Sequence, residues 1–203
     1  DLAQPDHLQL LYGANGAKAG EGVTVGVIDT GIDASHPHLA LAGGAAFVVA
    51  ESDAGGFGPA ALEGEHGTHV AGIMAARNNN SKGICGVAGG NGTELSGARI
   101  MSCQIFKVNP DYDPNDPDSP DNIGADDNAI AAAIVYGANN GAVISQNSWG
   151  FGQPDTRSKV VEEAIAYFNV NAGNYDGAPM KGGVAIFAAG NSGRTGRYYP
   201  AAL

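Results

Sequence analysis

Residues 23 to 28, VTVGVI, are continuously apolar and rich in β-branched side chains, the pattern of a strand buried on both faces of a parallel sheet. The run stops at Asp29-Thr30-Gly31, which places a carboxylate at the strand's carboxyl end. The segments ARIMSCQIF (98 to 106), GAVISQNS (141 to 148) and GGVAIFAAG (182 to 190) repeat the sequence of apolar run and small or polar ending, and predict three further core strands. Between them lie helical patterns: HGTHVAGIMAA from His66, DDNAIAAAIVYGA from Asp126, and SKVVEEAIAYF from Ser158, with Ser158 or Thr156 as the cap. Strands alternating with helices predict an α/β fold, a three-layer sandwich with a mainly parallel central sheet. In such folds, sites gather outside the carboxyl ends of the strands. One segment breaks the rhythm. NPDYDPNDPDSPDN (109 to 122) carries prolines and clustered acids that suit neither a helix nor a central strand, and it reads as an exposed acidic loop. Its carboxylates raise calcium as an alternative, but their spacing has no recognisable ligand register. There is no internal repeat and no interdomain linker.

Composition narrows the picture. With 203 residues, 43% of them hydrophobic, the chain is long enough for a sizeable core, and its 32 glycines suit tight turns and close backbone approaches. The formal charge of -11 repels a phosphate backbone, which argues against a nucleic-acid partner. No apolar run approaches the length of a membrane span. The opening residues, DLAQPDHLQL, lack the basic start and apolar stretch of a signal peptide, so the chain reads as a mature or trimmed product. Together with the acidic surface, this points to a secreted or cell-surface location. Cys85 and Cys103 show neither metal-type nor redox-type spacing; free buried thiols are expected, with a single disulfide as the alternative.

Three residues suggest chemistry. Asp29 stands in VIDTGID, and Asp-Thr-Gly is also how an aspartic protease presents its carboxylate; that reading needs a second such motif, and the chain has none. A plain turn residue is the other alternative. His66 opens HGTHVAGI, in which Gly67 and Gly72 permit close packing while Val70, Ile73 and Met74 supply an apolar helix side. His66 and His69, three apart, raise zinc, but the pair four apart with an intervening glutamate that metalloproteases use is missing. No metal ligand is assigned. Asn191, in FAAGNSG, follows an apolar strand; its amide either donates to developing negative charge or belongs to an ordinary turn.

Taken in order, VIDTGID, HGTHVAGI, SQNSWG and AAGNSG resemble the successive signature blocks of the subtilisin-like serine peptidases, and the similarity runs over essentially the whole chain. The resemblance implies a subtilisin-like fold and an endopeptidase with an Asp-His-Ser triad acting through an acyl-enzyme. By motif, Asp29 orients the imidazole of His66, His66 takes the serine proton, and Asn191 donates to the oxyanion. Ser148, Trp149 and Gly150 match the strand edge offered to a polypeptide substrate, and Ala188, Ala189 and Gly190 match a wall of the primary specificity pocket. Trp149 is larger than the small aliphatic residue expected there, with core filling as its alternative role. Catalysis of this kind requires no cofactor. The segment ARNNNSKGICGVA resembles the family's calcium loop, which implies a structural calcium, but His38 in SHPHL stands where the family often supplies a carboxylate.

The family's nucleophile lies in a Gly-Thr-Ser-Met block that opens a helix, and no serine of this chain has that context. Residues 1–203 are therefore expected to form a partial peptidase domain, incomplete at the C-terminus and inactive alone. The serine would come from a missing or separate C-terminal segment, a partner that completes the site. The alternative is a catalytically inactive subtilisin-like module that holds extended peptides.

Overall fold

The computed structural model describes residues 19–48, 64–93, 95–108 and 123–203. In chain order the elements are β1 (Thr24–Asp29), β2 (Leu41–Ala46), α1 (Gly64–Ala75), β3 (Arg99–Gln104), β4 (Lys107–Val108), β5 (Ile123–Gly124), α2 (Asp127–Asn139), β6 (Ile144–Asn147), α3 (Lys159–Asn171) and β7 (Val184–Phe187). Five strands form an all-parallel sheet in the order β2-β3-β1-β6-β7, and β4 pairs with β5 in a small antiparallel ribbon. The expected α/β sandwich with a parallel sheet is what the chain forms. The acidic segment 109 to 122 lies outside the described residues.

Alternation along the strands explains the three layers, because successive side chains of a strand point to opposite faces. Val25 and Val27 of β1 pack with Ile100, Ala71 and Ala75 on the α1 side. Ile28, Met101 and Cys103 face the other way, into a core with Ile130, Ile134, Val161 and Phe168 of α2 and α3. Gly26 stands against Ala142, where an added Cβ would make ordinary contact with the Ala142 methyl at 3.5 Å.

The helix starts differ from the sequence expectation by a residue or two. Helix α1 begins at Gly64, so His66 lies within its first turn rather than opening it. Asp126 caps α2, its carboxylate accepting from the N–H groups of Asn128 and Ala129 at 2.9 and 3.2 Å. Ser158, not Thr156, is the N-cap of α3, but its hydroxyl makes no capping bond.

Strand β2 has no counterpart in the sequence reading. Its residues, LAGGAA, are small and half-buried, so neither an apolar run nor an alternation marks them. It pairs because Gly44 lets its backbone lie against β3, where a Cβ would overlap the Ser102 carbonyl. Glycine's missing side chain here permits a strand instead of breaking one.

Candidate active site

Asp29 is the last residue of β1 and shares the face of Val25 and Val27, which is the face that α1 covers. Its carboxylate is therefore aimed at the helix that carries His66. The side chain is 2% exposed, and its Oδ1 accepts two hydrogen bonds at 2.7 Å, one from the His66 Nδ1–H and one from the Thr30 N–H. Asp29 Oδ2 is buried with no partner among the described residues. The His66 side chain is 56% exposed. With Nδ1 committed to the buried carboxylate, the other ring nitrogen, Nε2, is left as the basic one on the open side.

The register carries the rest of the floor. Ile28 pairs with Asn147 of β6, and Asn147 pairs with Phe187 of β7, so one step further places Ser148 beside Asp29 and Ala188 beside Ser148. Ser148 accepts from the Gln146 amide at 2.9 Å, and the Ala188 N–H donates to the Asn147 carbonyl at 3.0 Å. Ala188, Ala189, Gly190 and Asn191 are all exposed at this carboxyl end of the sheet, as is Gly150. Asp29, His66 and Ser148 are thus gathered on the α1 face, and Asn191 stands three residues past Ala188 on the loop beyond β7.

Trp149 goes to the opposite face. Its indole is 9% exposed and packs edge-on to Phe187 and Phe151, at ring-centroid distances of 5.5 and 6.4 Å. The side chain fills the α2/α3 core, as strand alternation from Ser148 requires. Asn147 carries a role the sequence did not flag. It is fully buried, and its amide donates to the Ser145 carbonyl and hydroxyl and to the Ile186 carbonyl at 2.9 to 3.2 Å, tying β6 to β7 beneath the floor. Thr30 and Thr68, inside VIDTGID and HGTHVAGI, likewise carry no mark in the sequence pattern.

Among the described residues, the side chains around the ARNNNSKGICGVA segment offer a hard cation few oxygens. His38 and Asn80, the side chains that face each other across the ARNNNSKGICGVA segment, are bonded directly, Asn80 Nδ2 to His38 Nδ1 at 2.9 Å. Asn78 Oδ1 is one buried acceptor without a partner, whereas calcium takes six to eight oxygens. Among the described residues no three His, Cys, Asp or Glu side chains cluster as a metal site. Melting of this chain is accordingly expected to be the same with and without a calcium chelator. A chelator-induced fall of more than about 5 °C, on the scale by which a lost ligand shifts melting, would reverse that expectation. Both cysteines are free thiols, and burial pushes the Cys103 thiol up to about 12, which removes it from nucleophilic chemistry.

Residues 20–203 match the subtilase family. The chain is 34% identical over 188 residues to subtilisin BL of Lederbergia lenta, covering 92% of this chain and 54% of that protein. It is 32% identical over 199 residues to a thermophilic serine proteinase of Bacillus sp. (strain AK1), covering 97% of this chain and 40% of that one. In fold it is similar to a mutant of the protease domain of PatA, with a TM-score of 0.60 at 23% identity, over 92% of this chain and 56% of that chain. The chain thus spans between 40 and 56% of the length of these three proteins. Among the described residues, no helix is long and apolar enough to cross a membrane.

Proposed function

Because the chain belongs to the subtilase family, we propose that it supplies the orienting carboxylate, the imidazole base and the oxyanion donor of a serine endopeptidase whose nucleophile lies on a C-terminal segment. The observation that carries this reading is the 2.7 Å bond between a buried carboxylate and a half-open imidazole at the carboxyl end of a parallel sheet. Asp29, buried and held by the Thr30 N–H, keeps His66 in the tautomer that leaves Nε2 free to accept the serine proton. When His66 becomes charged, the fixed carboxylate stabilises it in surroundings less polar than water. The serine oxygen then attacks the peptide carbonyl, the leaving amine takes the proton back, and water releases the acyl group. The exposed Asn191 amide is the donor assigned to the oxyanion, and the peptide lies along Ser148 and Gly150 with its side chain toward Ala188, Ala189 and Gly190.

The expectation of a further segment is supported by an uncovered strip. On the α1 face, Val184 and Ile186 of β7, the edge strand of the sheet, remain 45% and 47% exposed. Two large apolar residues left open on one face of an edge strand suit a further element of the same domain. Export from the cell and polypeptide substrates complete the reading, and no cofactor takes part in it.

The test compares this chain with the protein extended through its downstream sequence. The 203-residue chain should neither cleave an unstructured protein nor react with a serine-directed fluorophosphonate. The extended protein should do both, and Asn191→Ala should then lower its kcat by about 10²- to 10³-fold. Cleavage by the short chain with sensitivity to the probe would overturn the assignment of the nucleophile. A downstream sequence without Gly-Thr-Ser-Met in an otherwise complete domain would favour the peptide-holding module.

A further inference from the structure

Two threonines bracket the dyad without belonging to it. Thr30 follows Asp29 directly and is 3% exposed; its Oγ1 accepts from the Gly67 N–H, in the first turn of α1, at 3.0 Å. Thr68, two residues beyond His66, accepts on its Oγ1 from the Asp33 N–H at 2.8 Å. The two bonds cross the same contact in opposite senses: a hydroxyl after β1 takes a helix N–H, and a hydroxyl on the helix takes an N–H from the turn after β1. One hydrogen bond would leave the helix free to swing about it, whereas two, on the adjacent helix residues Gly67 and Thr68, restrict that freedom.

The backbone shows how close this contact is. A Cβ at Gly67 would overlap the Gly31 carbonyl oxygen and stand 3.3 Å from the Asp29 Cβ. Gly31 itself has a φ of 97°, a turn that only glycine adopts without strain. The Asp33 carboxylate is occupied by Ser35, whose hydroxyl and N–H donate to it at 2.6 and 2.8 Å. That leaves the Asp33 N–H to Thr68. The Thr30 N–H, in turn, fixes the same Asp29 oxygen that receives His66.

We propose that Thr30 and Thr68 are positioning residues whose hydroxyls clasp the first turn of α1 to the turn after β1 and thereby set the His66–Asp29 bond. This rests on the dyad reading above. Thr→Val keeps the shape and removes the acceptor, leaving an N–H unpaired, whereas Thr→Ser keeps the hydroxyl.

The clasp is tested in this chain by the low-field proton NMR resonance of the His66 Nδ1–H, with circular dichroism as the check on folding. Thr30→Val and Thr68→Val should each broaden or abolish that resonance, and Thr30→Ser and Thr68→Ser should restore it. In the extended peptidase the valine variants should lose between about tenfold and about a hundredfold in kcat at nearly unchanged KM, the loss expected from a displaced catalytic group. Thr68, half-exposed, is the variant that keeps the test open if Thr30→Val does not fold. If both folded valine variants keep the resonance and merely melt lower, the hydroxyls are structural only and the proposal fails. If the resonance survives in the valine variants but vanishes in Asp29→Asn, the dyad stands and the clasp falls. Its absence from the unsubstituted chain would end both.

Discussion

Asp29→Asn should lower kcat of the serine-containing protein by about 10⁴-fold with little change in KM, the scale this substitution shows in serine peptidases generally. The reason lies in the donor and acceptor arrangement around the carboxylate. Asp29 Oδ1 accepts from both the His66 Nδ1–H and the Thr30 N–H, and the residue is all but sealed from water. An asparagine keeps one acceptor oxygen, so the geometry survives, but its NH₂ must occupy the second position. If the NH₂ faces the imidazole, Nδ1 has to become the acceptor, and the proton moves to Nε2, where a base is needed. If the oxygen faces the imidazole, the tautomer is kept but the negative charge that stabilises charged His66 is gone. Steady-state kinetics on a peptide amide decide the matter. A loss smaller than about tenfold would mean that His66 is oriented by something other than Asp29.

The largest stability effect is expected at Phe168, on the far side of the sheet. Phe168 is fully buried on α3, within the core that also holds Val161, Ile165 and Ala172. Its ring lies where a Cβ at Gly183 would overlap it, and it would stand 3.5 Å from a Cβ at Gly137. The neighbouring glycines have no side chains that could swing in to fill the space. Phe168→Ala should therefore cost about 3–5 kcal/mol, near the top of the range for cavity-forming changes. Thermal denaturation should show this as a fall on the order of 10 °C for a chain of this size. A shift below about 2 °C would mean that α2 and α3 close over the gap, contrary to the packing described.

Four of the five parallel strands were legible because each carries an apolar run that a sheet covered by helices demands, even where, as in edge strand β7, one face stays open. Their ends were less so: GGVAIFAAG marks nine residues, of which Val184–Phe187 are strand, because Gly and Ala fit strand and loop equally well. Strand β2 left no signal for the same reason. Within the site, Asp29 and His66 were readable from VIDTGID and HGTHVAGI, as motifs in a telling order. Trp149 was legible only as a pair of alternatives. A residue at the end of a strand faces whichever side the pleat dictates, and β6 turns Trp149 into the α2/α3 core while Ser148 goes to the dyad side.

Sequence alone determined the fold class, the strand ends that carry polar groups, and the kind of chemistry those groups belong to, since each is written in local pattern and residue type. The tertiary structure decided which oxygen meets which nitrogen, which face each floor residue takes, and that His38 meets Asn80 directly. Those contacts join residues 37 and 42 positions apart, and such distances depend on sheet register and helix placement, which no local stretch of chain encodes.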